Sequence, residues 1–215
     1  MTEQTARERK RAYDPDGTRR RLLDVAAAAF QSRGYNATSM HDIMREAGVT
    51  GGALYHHFAT KKALALAVIY ERVAKEVEET WIQPVTSART AADGISAVFE
   101  RVTAELDQRR SVLGCPLNNL ALELSLADPE FRNAVQDVFE TWRKAIAQKL
   151  RADQEAGASD TQDPESFATF VVASFSGAMA LAKAGQNTAP LKACAQQLAR
   201  AMQPSEHIRS GKVEG

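Results

Sequence analysis

The sequence predicts an all-α protein of about nine helices, with a small N-terminal helix-turn-helix unit carried on a larger helical body. Two observations predict it. From Thr18 onward apolar residues recur at helical spacing nearly everywhere, and no segment alternates with the period of a strand. The helical runs are also punctuated by cap and breaker residues at the places where helices start and stop.

Residues 1–17 are polar and end in a Pro-Asp-Gly turn signal, which reads as a flexible arm carrying Arg7, Arg9, Lys10 and Arg11. A first helix from Thr18 places Leu22, Val25, Ala26, Ala29 and Phe30 on one face, and Gly34 is suited to cap its C-terminus. Ser39, with Asp42 three residues on, marks the start of a second helix whose inner face is Met40, Ile43, Met44 and Ala47. Gly48 breaks it. A short third helix follows from about Thr50 to His56. A fourth begins near Thr60, carries Tyr70, Val73, Ala74, Val77 and Trp81, and is expected to end at Pro84.

The body continues with a stripe of Ile95, Val98, Phe99, Val102 and Leu106. Gly114-Cys115-Pro116 opens another helix, with Pro in the favoured first turn. Asp128-Pro129 opens a long one bearing Phe131, Val135, Val138, Trp142, Ile146 and Leu150. Residues 153–163 read as a polar loop. Asp163-Pro164 starts a helix rich in small residues, and Leu191, Ala195, Leu198 and Met202 mark the last. The tail 204–215 reads as disordered. The expected organisation is therefore arm 1–17, helix-turn-helix unit 18–66, body 67–203 and tail 204–215.

Composition narrows the function classes. With 44% hydrophobic and 25% charged residues, the chain has the makings of a globular core. No apolar run is expected to reach the roughly 18 residues of a membrane span, and the N-terminus lacks the apolar stretch of a secretion signal. A cytoplasmic location is expected, where the two cysteines, Cys115 and Cys194, are poor candidates for a disulfide. Net charge is zero, but residues 1–64 hold 11 Lys/Arg against 7 Asp/Glu, and residues 65–215 hold 16 against 20. Such asymmetry suits a head that meets a polyanion and a body that does not.

The stretch from Gly34 to Leu64, GYNATSMHDIMREAGVTGGALYHHFATKKAL, has the physics of a helix-turn-helix. Two short helices meet at a turn containing Gly48, locked by Ile43, Ala47, Val49 and Leu54. The third helix then offers Thr50, Tyr55, His56, His57 and Lys61, whose hydroxyls, ring nitrogens and ammonium bond phosphates and base edges. The helix starts near Ser39, Thr50 and Thr60 also point peptide N–H groups at anions.

On the pieces G-Y-x-A-T-S-M-x-D-I, A-G-V and G-A-L-Y-H-H-F-x-x-K, residues 18–66 resemble the DNA-binding domain of the tetracycline-repressor (TetR) family. The resemblance implies a homodimer on duplex operator DNA of two-fold character, released when a small molecule enters the body. It implies phosphate grips at Tyr55 and Lys61, and His57 contacting backbone or supporting Tyr55. Met40, Thr50, Gly51, Gly52, Ala53 and His56 fall on the base-facing positions. Gly51 stands where relatives commonly have Lys or Arg, so a direct base contact is missing here. The last two helices, with Ser174, Gly177, Ala178, Ala182 and Ala184, would form the dimer interface.

Pocket candidates are Phe99, Val102, Trp142, Phe175 and Met179, although each reads more readily as plain core. The segment GCPLNNLALEL adds Cys115, Asn118, Asn119 and Leu122. At a helix N-terminus the dipole favours a thiolate, which makes Cys115 a candidate electrophile sensor; the alternative is an inert buried thiol. The expected effector is small and mostly apolar or electrophilic. No cofactor or metal is expected. The histidines form no metalloprotease pair, and phosphate-loop and nucleophile-elbow motifs are missing, so an enzyme finds no support. A helical interaction module, an activator and a ligand-independent regulator remain as alternatives.

Overall fold

A computed structural model describes residues 15–109, 111–159 and 163–202. Among these the chain forms nine helices and no strand. The basic arm residues and the tail lie outside the described residues.

Helix α1 spans Pro15–Arg33, α2 Met40–Ala47 and α3 Gly51–His57. The first departs from expectation. Pro15-Asp16-Gly17 is helical rather than a turn, because Pro lacks only an N–H that the first turn leaves unused. Gly34, at φ +90°, ends α1. Ser39 and Asp42 form a reciprocal capping box on α2, and Gly48 closes it in the left-handed conformation. Thr50 and Thr60 cap α3 and the next helix by accepting from the amides of Ala53 and Ala63.

Helix α4 runs from Lys61 to Ser87, as α-helical segments joined by π-helical turns at Ile69–Val73 and Glu78–Ile82. Pro84 does not end it. A proline cannot donate to the carbonyl of Thr80, and the Arg101 guanidinium donates to that oxygen instead, at 2.8 Å. A partner from another helix thus removes the cost of the missing bond.

The body comprises α5 Ala91–Asp107, α6 Pro116–Leu124, α7 Pro129–Glu155, α8 Pro164–Gly185 and α9 Ala189–Ala201. The predicted stripes of α5 and α7 are buried. Tyr70 is not; it is about half exposed and its hydroxyl donates to Asp137. The expected loop at 153–163 starts late because Asp153 belongs to the last turn of α7. It is buried, paired with Lys149 at 2.9 Å, and accepts from the Ala91 amide that opens α5. Against the expectation from the sequence, helix α8 is by length and composition apolar enough to cross a membrane. One side of it packs on the chain's own core through Ala168, Val171, Val172, Phe175, Ala178, Met179 and Ala182.

The head and body share one continuous core. Polar bolts add to it. Arg19 of α1 makes a two-pronged pair with Glu71 of α4 at 2.5–2.6 Å, and Arg72 pairs with Asp24 at 2.6 Å. Lys62 bonds Asp128 and Glu130 at the start of α7.

Candidate nucleic-acid interface and ligand cavity

The three head helices present α3 outward. Leu54 and Phe58 anchor it in the core, while Tyr55 and His56 are exposed and Thr50 stands at its tip. His57 is half-buried, its ring edge-on to His56 at 5.2 Å. Met40 is partly buried against the core rather than free on the surface. Gly51 has helical backbone; a Cβ there would meet only the Met44 sulfur at 3.7 Å, and one at Gly52 would meet nothing. A side chain at either position is therefore sterically allowed, and the bare start of α3 is a chemical choice rather than a backbone requirement.

Lys61 is less free than its position suggests. Its Nζ lies 4.1 Å from the centre of the Tyr35 ring and 3.5 Å from the Asn36 carbonyl. Partial burial lowers its pKa, opposed by Glu123. The ammonium thus sits at the α1–α2 turn.

Behind the head lies a partly open cavity of about 80 Å³. Its apolar wall is Trp81, Val102, Leu106, Cys115, Trp142, Phe175 and Met179. Trp81, Trp142 and Phe175 form one aromatic cluster with centroids 4.8–5.8 Å apart, and Phe99 packs behind it, fully buried. Its polar rim is Gln31, Glu76, Thr80, Glu105 and Arg109. Sequence reasoning missed the rim. In the run KEVEETW, Glu76 reads as one more solvated charge, and only the packing of α5 and α1 makes it a cavity group.

Of the four candidates on GCPLNNLALEL, the structure brings Cys115 to this cavity, together with its neighbours Gly114 and Pro116, and leaves the other three outside. Leu122 is about 79% exposed on the far side of α6. Asn119 clamps the loop before α6, donating to the Leu113 carbonyl and accepting from Lys183. Asn118 offers its backbone amide to the Cys115 sulfur. Of the two readings of the thiol, the structure supports the inert, buried one. Burial pushes its pKa up to about 11, outweighing the amides of Asn118 and Leu117 that favour the thiolate.

The cavity is wired to the head. Gln31 of α1 donates to the Gly114 carbonyl at 3.1 Å, next to Cys115. α4 carries Lys61 at one end and Glu76, Thr80 and Trp81 further along.

Comparison with known proteins places this geometry. The family model for bacterial regulatory proteins of the tetR family matches residues 22–68, and that for the C-terminal domain of LmrA/YxaF-like transcriptional regulators matches residues 91–197.

The chain belongs to the TetR family of transcriptional regulators.

It is 28% identical to the Bacillus subtilis HTH-type regulator YxaF over 84% of this chain and 93% of that protein. It is 28% identical to the HTH-type transcriptional repressor DhaR of Mycobacterium sp. (strain GP1), over 87% of this chain and 93% of that protein. A TetR transcriptional regulator from Chloroflexus aurantiacus has the same fold, with a TM-score of 0.77 and 29% identity over 86% of this chain and 94% of the other. This TetR-family chain is thus a DNA-binding transcriptional regulator.

Proposed function

We propose that this TetR-family protein is a repressor that binds a two-fold operator as a dimer and leaves it when a small molecule enters the cavity. The observation that carries the reading is that one continuous helix, α4, starts beside the DNA-facing helix and then walls the aromatic cavity. A ligand that moves the Glu76–Trp81 segment moves the frame of the head. Release then requires only that the ligand favour one of two arrangements over the other.

On this reading the head of residues 18–66 meets DNA, and the body of residues 67–203 binds ligand and partner, in the bacterial cytoplasm. Tyr55 grips phosphate and Lys61 reaches it from the α1–α2 turn. Thr50 and His56 face bases, with Gly51, Gly52 and Ala53 allowing close backbone approach and Met40 packing the start of α2 nearby. His57 supports its neighbours. With no basic side chain at Gly51, discrimination leans on DNA shape as well. In the dimer, the apolar outer face of α8 is covered. It displays Phe170, Ala173, Gly177, Leu181 and Ala184 at helical spacing. Ala178 and Ala182 serve the chain's own core instead.

Selection of bound duplexes from a random pool tests the proposal. The expected product is an inverted repeat with half-sites about one or two DNA turns apart, bound with affinity that falls steeply with salt. Enrichment of no motif, or binding insensitive to salt, would count against it.

A further inference from the structure

The charges around the cavity are not balanced. Glu105 is flanked by Arg101 at 3.2 Å and Arg109 at 3.9 Å. Glu79, outside the cavity, pairs with Lys75 at 3.5 Å. Among the described residues Glu76 has no hydrogen bond and no ion pair. Its side chain lines the cavity and keeps contact with solvent; the protein packed around it and the nearby Glu79 raise its carboxyl pKa against the pull of Arg109. Cys115, held as a neutral thiol, adds no charge.

A carboxylate so placed has no bonded counter-charge, and a ligand that fills the cavity strips it of water. The rings of Trp81, Trp142 and Phe175 line the same cavity, and their faces attract cations. Resting on the reading of this cavity as the ligand site, we propose that its ligand is a monocation with an apolar body, the positive centre lying between Glu76 and the aromatic wall. A neutral ligand leaves Glu76 uncompensated. An anion meets two carboxylates against one guanidinium.

The chain has two tryptophans, Trp81 and Trp142, and both line the cavity, so intrinsic fluorescence reports its occupancy. The probes are phenyltrimethylammonium, its neutral carbon isostere tert-butylbenzene, and benzoate. Titrations by fluorescence and calorimetry on the wild type should give phenyltrimethylammonium an advantage of about tenfold over the isostere, equivalent to about 1.4 kcal/mol, with benzoate weakest. Glu76→Gln, and Glu76→Ala in parallel, should erase most of that advantage, whereas Glu79→Gln should keep it. Equal affinities, a preference for benzoate, an advantage that survives both Glu76 substitutions, or no binding of any probe at millimolar concentration would overturn the proposal. Binding of the selected DNA without probe is measured on the same samples. Its loss would sink the regulator reading while leaving the probe ratio intact.

Discussion

The carboxylate of Glu123 on α6 accepts from the backbone amides of Tyr35 and Asn36 in the α1–α2 turn, at 2.8 and 2.6 Å. A body helix thereby satisfies two N–H groups of the DNA-binding head. The preceding Gly34 lies so close that a Cβ would sit 3.2 Å from the same carboxylate. Hydrogen bonds to a charged acceptor contribute about 1.5–3 kcal/mol where buried, and these are only partly so. Glu123→Ala should therefore cost about 1–3 kcal/mol in urea unfolding, with faster amide exchange at Tyr35 and Asn36. Unchanged exchange at both amides would refute the assignment.

Two glycine-to-alanine substitutions should move stability in opposite directions. Gly52 is exposed in α3 with nothing near its missing Cβ, so Gly52→Ala should stabilise by up to about 1 kcal/mol through helix propensity. Gly94 lies inside α5, where a Cβ would meet the Val85 Cα at 2.7 Å and the Ala88 Cβ at 3.0 Å. There the same gain is outweighed by overpacking against backbone, and Gly94→Ala should destabilise by about 1–3 kcal/mol. Thermal and urea unfolding of the two variants decide it.

Cys115 should alkylate slowly in the folded protein at pH 7–8, because its thiol stays protonated until about pH 11. The linkage has a definite sign. The folded pKa is raised, so the unfolded thiol ionises first as pH rises. The associated stability is complete below about pH 9 and is lost between about 9 and 11, relative to Cys115→Ala. Equilibrium unfolding of both proteins across that range measures the difference; parallel curves would contradict the burial argument.

Tyr55→Phe and Lys61→Ala should each weaken DNA binding without changing the bases selected. Loss of the Lys61 charge should lower the salt slope by about one ion. A slope equal to that of the wild type would mean that the ammonium serves only the Tyr35 ring and the Asn36 carbonyl.

Leu181 is about 62% exposed on the outer face of α8. Leu181→Glu places a charge in the face assigned to the partner and should shift the mass in solution from dimer to monomer. A wild type that is monomeric, or a variant that remains dimeric, would rule out that face.

Much of the head was legible because its signals are local. Ser39 with Asp42, Thr50 and Thr60 accept from amides, and Gly48 donates to carbonyls, within a few residues of themselves, so spacing alone locates them. The apolar stripes of α5 and α7 are equally local, since helical geometry fixes which residues share a face. The cavity was half legible. Val102, Trp142, Phe175 and Met179 line it, but Phe99 lies behind the wall, and Asn118, Asn119 and Leu122 point to other tasks or to solvent.

The sequence by itself determined where helices begin and which face of each is apolar, because caps and periodicity depend on neighbours within a turn or two. Only the tertiary structure decided the rest. Pro84 is tolerated because Arg101 arrives from α5, Gly94 is required because Val85 packs against it, and Cys115 is held neutral by burial. Glu76 becomes a cavity group through helices distant in sequence. Desolvation, close approach and charge compensation are set by whatever the fold brings alongside, and no local pattern records that.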